Sequence, residues 1–220
     1  MKNKKRIFVL TALLLVASFL LVSCSKGNKF TANNGKYVDN KTNITYIDAP
    51  SAYSPIKRTE NVYGTMGNVT LYEMEGIDPT KWLCEIGGTV FYAETEELPE
   101  LEEMDQVEIV FEDVALMTFT NAEDVALVAQ AYLTGESITK PYIAEDGYRV
   151  NWRIRFADMT RGIYYTVDYY VITEDHVVEN ADGTQTNYGD RFFYNRFEKR
   201  FVPAGDIFDT YVDEYLELTE

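Results

Sequence analysis

The chain has 220 residues, a formal net charge of −16, 46% hydrophobic residues and 14% aromatic residues. That apolar content is ample for a packed core and excludes a wholly disordered chain. The negative charge argues against nucleic acid as a partner, because phosphates would be repelled. A single histidine, His176, and two cysteines, Cys24 and Cys84, leave no Cys/His metal cluster, and a nucleophile–histidine site is open only through His176.

Lys2, Lys4, Lys5 and Arg6 give a basic start, followed by residues 7–22, which are apolar except for Thr11 and Ser18. Sixteen residues are short for a span of ~30 Å of hydrocarbon, which takes ~20. The basic start, the short apolar run and the small Ser23 suit a removable signal peptide. The run Leu21-Val22-Ser23-Cys24 resembles the lipobox of bacterial lipoproteins. The resemblance implies that residues 1–23 are removed and that the Cys24 thiol carries a diacylglyceryl group. Cys24 then begins a chain of 197 residues, anchored to the cell membrane and facing outside the cytoplasm. Two acyl chains on one residue anchor stably where a single chain does not.

Without residues 1–23 the net charge is −20, and it is unevenly spread. Residues 25–42 hold Lys26, Lys29, Lys36 and Lys41 against Asp39 alone, while the rest carries −23. Residues 24–43, rich in Gly, Asn, Lys and Thr, read as a flexible lipid-proximal tether. Residues 44–93 read as a β-rich subdomain. Within it, 82–86 and 89–93 flank Gly87-Gly88 as a hairpin. A two-residue turn there sets Ile86 opposite Thr89, Cys84 opposite Phe91 and Trp82 opposite Ala93, with Cys84 buried among apolar neighbours. Residues 94–105, with seven acids around Pro99, read as an exposed acidic connector.

Residues 106–220 read as an α+β subdomain. Strands are expected over 107–111 and 114–119, then a helix opened by a Thr120–Glu123 capping box and stopped at Gly135. Its core face holds Val125, Val128, Ala129, Tyr132 and Leu133. Strict alternation over 148–156 and 163–171 predicts two paired strands. One face carries Tyr148, Val150, Trp152, Ile154 and Phe156 with Ile163, Tyr165, Val167, Tyr169 and Val171. A third strand is expected over 191–201, and a last helix capped by Asp206, with Ile207, Phe208, Tyr211, Val212, Tyr215 and Leu216 inward. The fold class expected is α+β, mainly antiparallel β: a small β-rich N-terminal unit, then an antiparallel meander with packed helices.

The polar face of the 148–171 hairpin is the candidate ligand or partner site. It holds Arg149, Arg153 and Arg155 beside Tyr164, Asp168 and Tyr170. Guanidinium groups bind carboxylate or phosphate in two-point fashion, and tyrosines stack on sugars and cations. The same residues could instead knit a solvated sheet face. Asp175, Glu179, Asp182 and Asp190 lack the ordered spacing of a calcium loop. His176 has no nominated nucleophile or acid. The expectation is a lipid-anchored extracytoplasmic protein without catalytic residues, metal or cofactor. Its partners are the membrane, through Cys24, and a protein or envelope component, with no nucleic acid. Capture of a glycan or acidic metabolite for uptake is the alternative reading, and a carboxylate-based hydrolase is the third.

Overall fold

Asn34-Gly35 is the first turn of the described structure, and it already departs from the expected tether. The computed structural model describes residues 27–141 and 147–219. Within it β1 (Asn28–Asn33) and β2 (Lys36–Asp39) form a hairpin, in which Asn33 faces Lys36. Asn34 and Gly35 both take positive φ, at 52° and 76°, the conformation that Asn-Gly favours in a two-residue turn. From residue 28 to residue 39 the expected tether is therefore a strand hairpin and not a free spacer. Its alternation is weak because most side chains of β1 face water while Phe30 and Asp39 are buried.

Seven strands close a barrel in the order β1-β2-β3-β8-β7-β6-β5. The remaining strands are β3 (Thr45–Asp48), β5 (Arg58–Met66), β6 (Val69–Met74), β7 (Trp82–Glu85) and β8 (Val90–Ala93). The seam is a short parallel pairing of Asn28 and Lys29 with Gly64 and Thr65. Phe30, Tyr46, Leu71, Leu83, Phe91 and Ala93 fill the interior.

The β7–β8 register differs by one residue from the expectation. Trp82 faces Tyr92, Leu83 faces Phe91 and Cys84 faces Val90. The loop has three residues, 86–88, with Gly88 at φ 94° and its N–H on the Glu85 carbonyl. A one-residue slip exchanges the faces. Leu83 and Phe91 point into the barrel, while Trp82, Cys84 and Val90 pack outside it with Ala49, Met74 and Ile163. Cys84 is fully buried, as expected, and burial pushes its thiol up to about 11. Ile86, expected on the buried face, is exposed at the loop.

The second sheet runs β10-β9-β11-β12-β15-β16, with β4 also on β12. Its strands are β4 (Tyr53–Pro55), β9 (Gln106–Phe111), β10 (Val114–Phe119), β11 (Tyr148–Asp158), β12 (Ile163–Ile172), β15 (Arg191–Asn195) and β16 (Arg200–Pro203). β4 pairs with Ile163, Tyr164 and Tyr165, and β15 with Asp168 to Val171 further along the same strand. A strand from the 44–93 segment thus completes the sheet of the 106–220 segment. The acidic 94–105 stretch links the two, yet it is not wholly exposed. Its 3₁₀ turn, Leu101–Glu103, buries Leu101, and Met104 follows it into the core.

Helices α1 (Ala122–Thr134) and α2 (Asp209–Thr219) cover one face of the sheet. Val125, Val128, Ala129 and Tyr132 of α1, and Phe208 and Val212 at α2, meet Trp152, Ile154, Tyr169 and Phe193. The cap of α1 is Asn121, whose side chain accepts the Glu123 N–H at 3.0 Å, rather than Thr120. Leu133, expected on the core face, is exposed, and α2 begins at Asp209, one turn after Asp206. The expected single strand over 191–201 is two strands. The Asn195 carboxamide accepts the N–H groups of Phe197 and Glu198 and turns the chain between them. Between β12 and β15 a small hairpin, β13 (Val177–Glu179) with β14 (Gln185–Asn187), stands apart from the main sheet. The protein is α+β, mainly antiparallel β.

Candidate functional site

The face of the sheet away from the helices is built by β11 and β12 in the register Arg153–Asp168, Arg155–Thr166 and Asn151–Tyr170. Five of the six expected residues lie on this face, and they divide into three groups.

Arg153 and Arg155 both reach Asp113 of the β9–β10 turn, at 3.2 and 3.5 Å. Arg155 also lies over the Tyr164 ring, 5.2 Å from its centroid. Burial raises the Tyr164 hydroxyl pKa, and nearby Glu108 adds to the rise. Asp168 is buried and does not pair with Arg153 despite facing it. Its two oxygens accept hydrogen bonds from Arg196 Nε at 3.2 Å and Nη2 at 2.6 Å. Those bonds hold the Arg196 guanidinium pKa above its ordinary value. Each of Arg153, Arg155 and Arg196 is thus matched by Asp113, Glu108 or Asp168 close by. The positive island expected from sequence is largely neutralised.

Tyr170 belongs to an aromatic row that crosses four strands. Its ring centroid is 5.0 Å from Tyr148 and 5.9 Å from Tyr194, and Tyr194 stacks on Phe201 at 4.1 Å. Tyr148, expected in the core, joins this row because a bulge between Tyr148 and Val150 shifts its register. Tyr170 and Tyr194 spend ring faces on their neighbours, which removes much of the flat surface that a sugar would stack on. Burial raises the Tyr170 hydroxyl pKa well above its usual range. Arg149 is exposed at the same bulge and lines none of the hollows described next.

Beside these groups runs a trough made of two adjoining hollows. The first, about 190 Å³, has Arg153, Thr166 and Asp168 as its floor and Ser51, Ala52 and Ser54 on one side. Tyr194, Arg196 and Phe197 close the other side. The second, about 240 Å³, continues past Ser51, Ser54 and Phe197 to Gly87, Gly88 and Thr89 of the barrel. Phe197 borders both and is 55% exposed at the tip of the β15–β16 turn. Sequence reasoning missed Arg196 and Phe197, because 191–201 reads as one strand. The signal was Asn195 followed by four polar or charged residues in five, a turn pattern. Ser51 and Ser54 carried no signal.

Other features offer less chemistry. An apolar hollow of about 170 Å³ between α2 and the sheet is lined by Ile109, Trp152, Tyr211 and neighbours, with Glu214 as its one charged group. His176 stacks on Tyr188 at 5.9 Å, away from the trough. Asp182 accepts the N–H and hydroxyl of Thr184, which makes Asp182-Gly183 a turn, as its sequence suggests. Among the described residues no group of three or more His, Cys, Asp or Glu is placed to hold a metal, and no helix is long and apolar enough to cross a membrane. Cys24 lies outside the described residues. No protein-family model, no curated protein and no solved structure matches this chain.

Proposed function

We propose that this is a lipid-anchored extracytoplasmic protein that binds a protein partner of the cell envelope in the trough between β4 and the β15–β16 turn. The trough supports this reading by its shape. The two hollows share Ser51, Ser54 and Phe197, so together they run from the sheet face at Asp168 to the barrel loop at Gly87-Gly88. An extended peptide segment fits such a shape better than a compact metabolite. Tyr, Phe and Arg side chains at the rim are the types that carry binding energy at protein interfaces. The lipobox at Leu21-Val22-Ser23-Cys24 supports the location.

The test is capture of envelope partners by the acylated protein and by Phe197→Ser and Arg153→Glu variants, with folding checked by circular dichroism. The expected result is that partners captured by the wild type are lost by about tenfold or more with Phe197→Ser, equivalent to more than ~1.4 kcal/mol. Identical capture by all three proteins would remove the trough from the account. Uptake of a glycan or acidic metabolite instead predicts thermal stabilisation by one ligand class. Of the trough's lining residues only Asp168 is a carboxylate, and Arg196 occupies it, so the paired acids that a hydrolase needs have no support here.

A further inference from the structure

We propose that the start of β1 and the 40–43 turn of the barrel form a membrane-contact face, pressed onto lipid headgroups by the shortness of the chain before them. This rests on the reading of Cys24 as the lipid-bearing residue.

The chain is already docked at Gly27. A Cβ added there would meet Gly64 Cα at 3.0 Å and the Tyr63 carbonyl oxygen at 3.1 Å. Gly64 in turn has no room for a side chain, since its Cβ would lie 2.5 Å from the Asn28 carbonyl oxygen. The first residues of β1 are thus fixed against β5, and only Ser25 and Lys26 separate Gly27 from Cys24. Three steps of ~3.3–3.6 Å give a reach of about 11 Å. The headgroup layer of one leaflet takes roughly 5–8 Å of it. What remains is shorter than the Debye length of ~8 Å at physiological ionic strength, so charges at this end act on the bilayer surface.

The chemistry at this end suits that contact. The Asn40 N–H donates to the Lys29 carbonyl at 2.9 Å and the Asn28 amide to Asp39 at 2.7 Å, which sets the turn beside the start of β1. Lys29, Asn40, Lys41, Thr42 and Asn43 are exposed, whereas Asp39, the one acid of residues 27–43, is buried. Glu94 and Glu96, which share a hollow with Asn43, are already paired with Lys36 and Lys81. Residues 43–220 carry −23. In this orientation Lys29, Lys41 and the amides face the headgroups, with Asp78 the exposed acid beside the Thr80–Lys81 edge of that hollow, while most of the acidic bulk is held off an anionic leaflet.

The β13–β14 hairpin, which belongs to neither the barrel nor the second sheet, supplies a reference point. Ile163 of β12 packs with Trp82 and Cys84 on the barrel flank, and β12 then runs ten residues to Ile172, where the chain leaves for the β13–β14 hairpin. At ~3.3 Å per residue that is about 30 Å.

The experiment uses full-length protein, acylated in cells and reconstituted in vesicles of phosphatidylcholine and phosphatidylglycerol carrying a headgroup-linked acceptor dye. Donor dye is attached at Lys41→Cys or at Glu179→Cys; the buried Cys84 thiol does not compete. We expect energy transfer from position 41 at least threefold above that from position 179. Inserting twenty Gly/Ser residues before Gly27, with an r.m.s. span of ~25 Å, is expected to cut transfer at position 41 by at least half. Equal transfer from both positions, or no effect of the insertion, overturns the contact face. Mass spectrometry of the same sample separates the two failures. Lipid on Cys24 with equal transfer overturns only the contact face, while a bare Cys24 overturns the anchor and the contact face together.

Discussion

Asp39 is a buried carboxylate that ties three parts of the barrel together. It accepts hydrogen bonds from the Asn28 amide, the Lys41 N–H, the Thr42 hydroxyl and the Tyr63 hydroxyl. Burial alone would raise its pKa, but these donors outweigh burial and hold it below the ordinary value of 3.8. A depressed folded pKa means that the contribution is present above the unfolded value and is lost as pH falls through the folded one. Asp39→Asn keeps the shape and leaves donors facing an amide, which costs about 1–3 kcal/mol. Urea unfolding should show that difference from pH 8 down to about pH 5, closing below about pH 4. A difference that does not change with pH would show that shape and not charge makes the contribution. Cys84 illustrates what single residues reveal from sequence. Residues 82–84 are apolar on both faces, so Cys84 is buried in either register and its burial was legible despite the slip. Arg153 was legible as a surface cation, but its partner was not. Asp113 lies 40 residues away, and the facing Asp168 is taken by Arg196.

Among the elements, the long central strands were the most legible. β11 and β12 bury one face over ten or more residues, so a period of two stands out. β1 and β2 were missed because their polar side chains face water and only Asn34-Gly35 marks the turn. The end of α1 was legible as a glycine stop, but for a different reason from the usual one. Gly135 has φ −62°, with no need of a left-handed conformation. Its Cβ would sit 2.1 Å from Val202 Cγ1 and 2.8 Å from the Ala131 carbonyl oxygen, so the glycine is required by the approach of β16 and by the last turn of the helix itself. Gly135→Ala should therefore destabilise by about 1–3 kcal/mol through overpacking. Val202→Ala in the same chain should recover part of that loss beyond additivity, as a double-mutant cycle by denaturant unfolding would show. Strict additivity would contradict the steric explanation.

At the scale of the whole molecule, the fold class follows from local patterns, but closure does not. The barrel depends on a parallel seam between residues 28–29 and 64–65, and the second sheet recruits β4 from more than 100 residues away. The trough exists only because those distant pieces meet: Ser51 and Ser54 from one end of the chain, Arg196 and Phe197 from the other. No local pattern carries such pairings, which is why the candidate site was legible as a sheet face and not as a groove. The proposed location at the membrane rests on the first 24 residues, and the proposed contact face depends on it. Intact-mass and peptide mass spectrometry of the protein from its native cells tests it most directly. The account predicts a chain that begins at Cys24, with residues 1–23 absent and a diacylglyceryl group on the sulfur; a chain that retains those residues, or carries an unmodified Cys24, would contradict it.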